Sequence, residues 1–258
     1  MSGFSADWLA LREPADSRSR SRDLIDRAGA MLAQHTAPLV CDLGSGTGAG
    51  MRAFAPSFPK DTQWLLTDHD PETLAIAGAA KGVKTALADL SADPAPWPEA
   101  CRLVTATALF DLAAPEWINK LADRLAEDKL PVLACLTYDG RLGFAPAMGG
   151  DAALSAAFNR HQRGDKGLGG PAAGPGAAVA LAKALSARGY KVQMEDSAWR
   201  LQAPRDTLLM KELIRGWSDA MKGLVGDEVA QRWCDMRLVN TTRLTIGHTD
   251  IFATPPKG

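Results

Sequence analysis

Val40-Cys41-Asp42-Leu43-Gly44-Ser45-Gly46-Thr47-Gly48 is the segment with the clearest chemical content. An apolar run meets glycine at every second position, which suits a strand turning sharply into a helix. Glycine tolerates positive φ and leaves room for a ligand against bare backbone. The N–H groups at the start of the next helix have no partners of their own, so a polar or anionic ligand can take them. Asp68 closes the following apolar run, twenty residues after Gly48. A carboxylate in that place accepts hydrogen bonds from both hydroxyls of a ribose. The G-x-G-x-G spacing departs from the G-x-G-x-x-G of dinucleotide sites, which disfavours a nicotinamide cofactor.

The elements that must position these residues alternate. Strands are expected over 38–43, 63–67, 84–88, 103–108 and 130–136, then over 190–195 and 243–252. Helices are expected over about 48–58, 115–126, 152–162, 177–187 and 204–236, with another starting at Asp70-Pro71-Glu72, an N-cap followed by proline at the first helical position. Strands alternating with helices imply an α/β fold with a parallel sheet and crossover connections. Before the first strand, Trp8, Leu9 and Leu11 suggest a short apolar element. Asp16 is expected to cap a helix carrying Leu24, Ile25, Ala28, Met31 and Leu32 on one stripe, with the basic run 18–22 facing solvent. Residues 1–36 therefore form a helical extension or lid, and 37–258 the main domain, with insertions at about 140–176 and 200–240.

The glycine loop resembles motif I of class I S-adenosylmethionine-dependent methyltransferases. The resemblance continues at Thr67 to Leu74 (acidic motif II), Ala88-Asp89-Leu90 (motif III) and Leu103 to Asp111 (motif IV). It implies a Rossmann-like, seven-stranded, mostly parallel sheet of order 3-2-1-4-5-7-6 with helices on both faces, and S-adenosylmethionine as cofactor. By the same resemblance, Asp42 lies near the methionine amino group. Gly44, Ser45, Gly46 and Gly48 line the methionine and ribose portions. Asp68 holds the ribose hydroxyls, Asp89 faces the adenine amino group, Leu90 offers a backbone N–H and His69 packs near the adenine.

The methyl acceptor is less marked. The Asn/Asp-Pro-Pro-Tyr/Phe segment of related nucleic-acid and protein N-methyltransferases is replaced by Ala108 to Leu112, which favours a small molecule, an anionic one included. Asp111 can orient or deprotonate an acceptor, or cap a turn. Tyr138 can position an acceptor or simply end a strand. In the stretch Asn159 to Gly167, His161 has the titration range of a base, and Asn159, Arg163 and the later Arg200 can hold an anion; the alternative is a solvated loop. Glycine is uneven here: of 24 in the chain, four fall in 44–50 and ten in 140–176, the second group having the make-up of a lid.

Composition sets the bounds. Lys+Arg number 29 against 30 Asp+Glu, a net charge of −1, with 46% hydrophobic and 23% charged residues. Intrinsic disorder is excluded by that balance, and binding of nucleic acid by bulk charge is disfavoured. An RNA methyltransferase using a local basic surface at 18–22 and 160–166 stays open, as does a cofactor-binding module acting as a non-catalytic subunit. Four scattered cysteines and no histidine spacing suited to a metal predict neither disulfide nor metal site. No apolar run is long enough to span a bilayer, and MSGFSADW does not read as a signal peptide. A cytoplasmic enzyme is the expectation, with no residue pattern that specifies an oligomeric state.

Overall fold

The structure, a computed structural model, describes residues 5–256. Residues 1–4, the start of the segment read for a signal peptide, and 257–258 lie outside the described residues. Two helices lead the chain, α1 (Ala6–Ser19) and α2 (Arg22–Leu32). Ser5 caps the first by accepting the Trp8 N–H at 3.2 Å, and Ser21 caps the second by accepting the Leu24 N–H at 3.3 Å. Asp16 is therefore not the expected cap. It lies inside α1, where its carboxylate pairs with Arg12 one turn earlier at 3.0 Å.

The basic run is only in part a solvated face: Arg18 and Arg22 are exposed, but Arg20 is not. It straddles the α1–α2 junction, which packs onto the sheet, so Arg18 pairs with Asp206 at 2.7 Å. Arg20 is buried, its guanidinium carbon 5.7 Å from the centre of the Phe54 ring. The junction is tied down by Asp250, which is fully buried. One oxygen accepts the Ser21 N–H and the other the Leu136 N–H, each at 2.7 Å.

Strands β1 (Leu39–Leu43), β2 (Gln63–Asp68), β3 (Val83–Leu87), β4 (Cys101–Thr107) and β5 (Val132–Ala145) form the parallel part of an eight-stranded sheet. β6 (Lys191–Asp196), β7 (Trp199–Gln202) and β8 (Arg243–Thr254) complete it, and the order is β3-β2-β1-β4-β5-β8-β6, with β7 paired to β8. The predicted order holds, with β8 standing as the expected seventh strand. β7 is the addition: Trp199 and Leu201 are buried while Arg200 and Gln202 are exposed, a period of two too short to stand out in the sequence. β5 runs well past its expected end, because β8 pairs along its whole length.

Helices α3 (Ala49–Phe54), α4 (Pro71–Ala77), α5 (Pro115–Glu127), α6 (Asp151–His161), α7 (Ala177–Ser186), α8 (Thr207–Met221) and α9 (Asp227–Asn240) cover both faces. α5 shows why: Trp117, Ile118, Leu121, Ala122 and Leu125 fall at helical spacing and are all buried. A buried leucine contributes about 1.5–3 kcal/mol. The expected single helix over 204–236 is broken between α8 and α9, where Gly223 and Gly226 take φ of +78° and +90°. Two cores result, one beneath α2, α3, α8 and α9 and the other beneath α5 and α7. The C-terminal ends of β1 to β4 share one rim, and the strand order reverses between β1 and β4. That is where open α/β sheets bind ligands.

Candidate cofactor and acceptor site

The β1–α3 loop is held in a single shape. Gly44, Gly46 and Gly48 have φ of +60°, +51° and +82°, a region that costs other residues roughly 1–2 kcal/mol each. Close approach adds to the demand, since a Cβ on Gly44 would meet the Leu109 side chain at 3.0 Å and one on Gly46 would meet Leu9 at 3.1 Å. The loop is pinned to β2: Ser45 N–H donates to the Thr67 carbonyl at 2.9 Å, and Gly46 N–H to Asp68 Oδ2 at 2.8 Å. The other Asp68 oxygen accepts the Asp70 N–H at 3.1 Å and lies 3.1 Å from His69 Nδ1.

Asp42, one residue before the end of β1, is buried, and its Oδ1 accepts a hydrogen bond from Thr105 Oγ1 at 2.6 Å. Burial pushes its carboxyl up to about 6, against the opposing pull of Thr105 and of the Arg20 charge. Gly50 leaves bare backbone beside it; a Cβ there would come within 3.0 Å of Asp42 Oδ2.

These residues open on a cavity of about 460 Å³, within the range of small-ligand sites. Asp42 lines it from β1, Gly44, Ser45 and Gly46 from the loop that follows, Asp68 and His69 from the end of β2 and the residue after it, and Asp89 and Leu90 from the segment after β3. Gly48 does not line it. Its place is to turn the chain into α3, against Leu66 and Ala77. Asp89 Oδ1 accepts both the Ser91 hydroxyl at 2.6 Å and the Ser91 N–H at 2.9 Å, which hold this exposed carboxyl below the usual range. The Leu90 carbonyl accepts the Trp117 indole N–H at 2.6 Å, fixing the turn beneath the cavity. Ser45 Oγ and Thr107 Oγ1 belong to lining residues, are buried, and have no partner among the described residues. A polar ligand suits them.

The rest of the lining comes from residues not named as site residues from the sequence, although Lys166 and Gly167 fall in the Asn159 to Gly167 stretch singled out there. Leu9, Arg12 and Asp16 of α1 form its roof, Thr107, Leu109 and Leu112 its floor, and Lys166, Gly167 and Leu168 a wall. Arg12 also stacks on Trp199 at 5.0 Å. The i, i+4 spacing of Arg12 and Asp16 was the available signal for an ion pair on α1, but nothing local shows that α1 folds over the β1 loop.

The wall is not a loose lid. Leu168 O accepts the Ala114 N–H at 2.9 Å, Ala113 O accepts the Ala173 N–H at 2.8 Å, and Gly164 O accepts the Ala172 N–H at 3.2 Å. Gly140 and Gly143 of the same glycine-rich stretch lie within β5. The cluster is therefore part strand and part pinned loop.

Asp111, Tyr138 and His161 do not line the cavity. Asp111 is buried on the short helical turn after β4, with Oδ1 unpartnered among the described residues; desolvation raises its carboxyl to about 6, opposed in part by the Arg12 and Lys166 charges. Tyr138 and Asn159 are brought together, the phenol donating to Asn159 Oδ1 at 2.8 Å while Asn159 Nδ2 donates to Gly140 O at 3.0 Å. They staple α6 to β5. His161 is half-buried, and burial lowers its titration range; its Nδ1 lies 3.4 Å from Lys166 Nζ. Arg163 donates to the Asn159 carbonyl from an exposed position, and Arg200 pairs with Asp196 at 2.9 Å with its side chain 72% exposed. Neither reaches the cavity.

No family model and no curated protein matches this sequence. Solved structures do resemble it. The YcgJ protein of Bacillus subtilis matches with a TM-score of 0.54 and 12% identity over 92% of this chain and 100% of its own. A protein assigned as a methyltransferase of an antibiotic biosynthesis pathway in Anabaena variabilis matches with a TM-score of 0.53 and 14% identity, over 93% of this chain and 99% of its own. The fold is the Rossmann-like fold of class I methyltransferases.

Proposed function

We propose that this fold binds S-adenosylmethionine in the cavity at the β1/β4 switch point and transfers its methyl group to a small-molecule acceptor. The observation that carries the reading is convergence on one cavity. Residues far apart in the sequence, Asp42, Gly44, Gly46, Asp68 and Asp89, line it together. The likeness to the Anabaena methyltransferase supports the same direction.

In this reading, Asp42 accepts from the cofactor's amino group, Asp68 from its ribose hydroxyls and Asp89 from its adenine amino group. Gly44 and Gly46 leave the backbone open for close contact. The cofactor supplies a methyl carbon on a sulfonium, an electrophile with a good leaving group. The protein's share is alignment and exclusion of water. The α1 roof supplies both, through Leu9 and through an Arg12–Asp16 pair that satisfies its own charges. The acceptor lies between the floor and the wall, beside Thr107, Leu112 and Lys166. Asp111 touches neither ligand and acts as a positioning residue, through its charge on Lys166.

The test is label transfer. A donor with an isotopically labelled methyl group is incubated with the protein and a small-metabolite extract. The expected result is a labelled product that Asp42→Asn reduces at least tenfold. Incorporation no greater than that with heat-denatured protein overturns the proposal.

A further inference from the structure

One cation that lines the cavity has no carboxylate within ion-pair distance among the described residues. Arg12 spends its guanidinium on Asp16, with Nε to Oδ2 at 3.0 Å and Nη2 to Oδ1 at 3.2 Å. Lys166 differs. It lines the cavity, and its nearest polar contact is His161 Nδ1 at 3.4 Å; it has no carboxylate within 4 Å among the described residues. Burial drives its ammonium below the ordinary lysine range, and the Asp111 charge only partly offsets that. A half-buried ammonium lacking a partner is costly, and an anion bound beside it would remove the cost.

The lining of the cavity narrows the kind of anion. Leu9, Leu109, Leu112 and Leu168 line the same cavity, so an occupant with an apolar body fits it. With Arg12 engaged, a single positive charge is left, which suits a monoanion. A phosphate dianion would call for a second cation or a nest of free N–H groups. Leu168 holds its place in the wall through its carbonyl bond to Ala114 N–H at 2.9 Å, so the position of Lys166 is built by the fold.

We infer that Lys166 anchors the carboxylate of the acceptor, and that the acceptor is a small carboxylic acid with an apolar body. The inference rests on the methyltransferase reading of the cavity, and one set of titrations separates the two. Wild-type protein is first titrated with S-adenosylhomocysteine; failure to bind removes the methyltransferase reading itself. The S-adenosylhomocysteine-saturated protein is then titrated with benzoate, its neutral analogue benzamide, and inorganic phosphate. Benzoate should bind at least tenfold more tightly than benzamide, and phosphate more weakly than benzoate. Lys166→Met should remove the preference for benzoate over benzamide, and Lys166→Arg should restore it in part. Retained S-adenosylhomocysteine binding reports that each variant is folded; should Lys166→Met not fold, Lys166→Gln takes its place. Equal binding of benzoate and benzamide, binding of neither, tighter binding of phosphate, or an undiminished preference in the folded Met or Gln variant overturns the inference and leaves the cofactor site standing.

Discussion

Asp42 is asked to do two opposed things. Burial favours its neutral form, raising the carboxyl to about 6, yet an ammonium ligand needs the ionised form. The sign follows directly: S-adenosylhomocysteine affinity should be full above about pH 7 and fall as pH drops through 6, approaching tenfold per pH unit below it. Calorimetric titration between pH 5 and 8 reads this, and a flat profile would remove Asp42 from the ligand contacts. Asp68 carries a larger share of the loop. Its Oδ2 holds the Gly46 N–H at 2.8 Å and keeps a lone pair for a ribose hydroxyl, while its Oδ1 has both the Asp70 N–H and His69 Nδ1 at 3.1 Å. Asp68→Ala should weaken cofactor binding by about 1.5–3 kcal/mol, the scale for hydrogen bonds to a charged group. Unchanged affinity in the same titration would contradict its role.

Among the elements, the β1–α3 loop was the most legible in sequence, because its information is local. Alternating glycines, a preceding apolar run and an acid at the end of the next strand are all short-range signals. Gly46→Ala should lower stability by about 1–2 kcal/mol, since its φ is +51° and the new Cβ meets Leu9; unaltered denaturant midpoints would mean that the loop relaxes freely. α1 was the least legible. Its apolar residues are few, and the contacts that place it are long-range: Glu13 to Arg52 at 2.7 Å, Arg18 to Asp206 at 2.7 Å, and the Asp250 anchor at its junction with α2. Asp16 looked like a cap because caps and helix-internal ion pairs use the same residue. The glycines of 140–176 misled for a similar reason. Composition reports freedom in the unfolded chain, whereas strand pairing and the bonds to Ala113 and Ala114 decide what that freedom becomes.

At the scale of the molecule, two buried carboxyls, Asp42 in the cavity and Asp111 outside its lining, cost stability. Desolvation raises both to about 6 in the folded protein, above the ordinary value of 3.8. A raised carboxyl stabilises the fold below about pH 4, and that contribution is lost as pH rises through 6. Asp111→Asn should therefore raise the thermal midpoint at pH 7.5, by up to about 3 kcal/mol of stability, and have little effect below pH 4. A midpoint lowered at both pH values would mean that the carboxylate is a structural necessity instead. The fold class and strand order were readable from alternation of elements, while the acceptor end was not, because it forms only when α1, the β4–α5 turn and the 164–170 loop meet in space. The central claim concerns what fills the cavity, and calorimetry of the purified chain tests it most directly. S-adenosylmethionine and S-adenosylhomocysteine should bind with one site per chain while NAD gives no heat of binding. Binding of NAD without binding of either sulfur ligand would contradict the account.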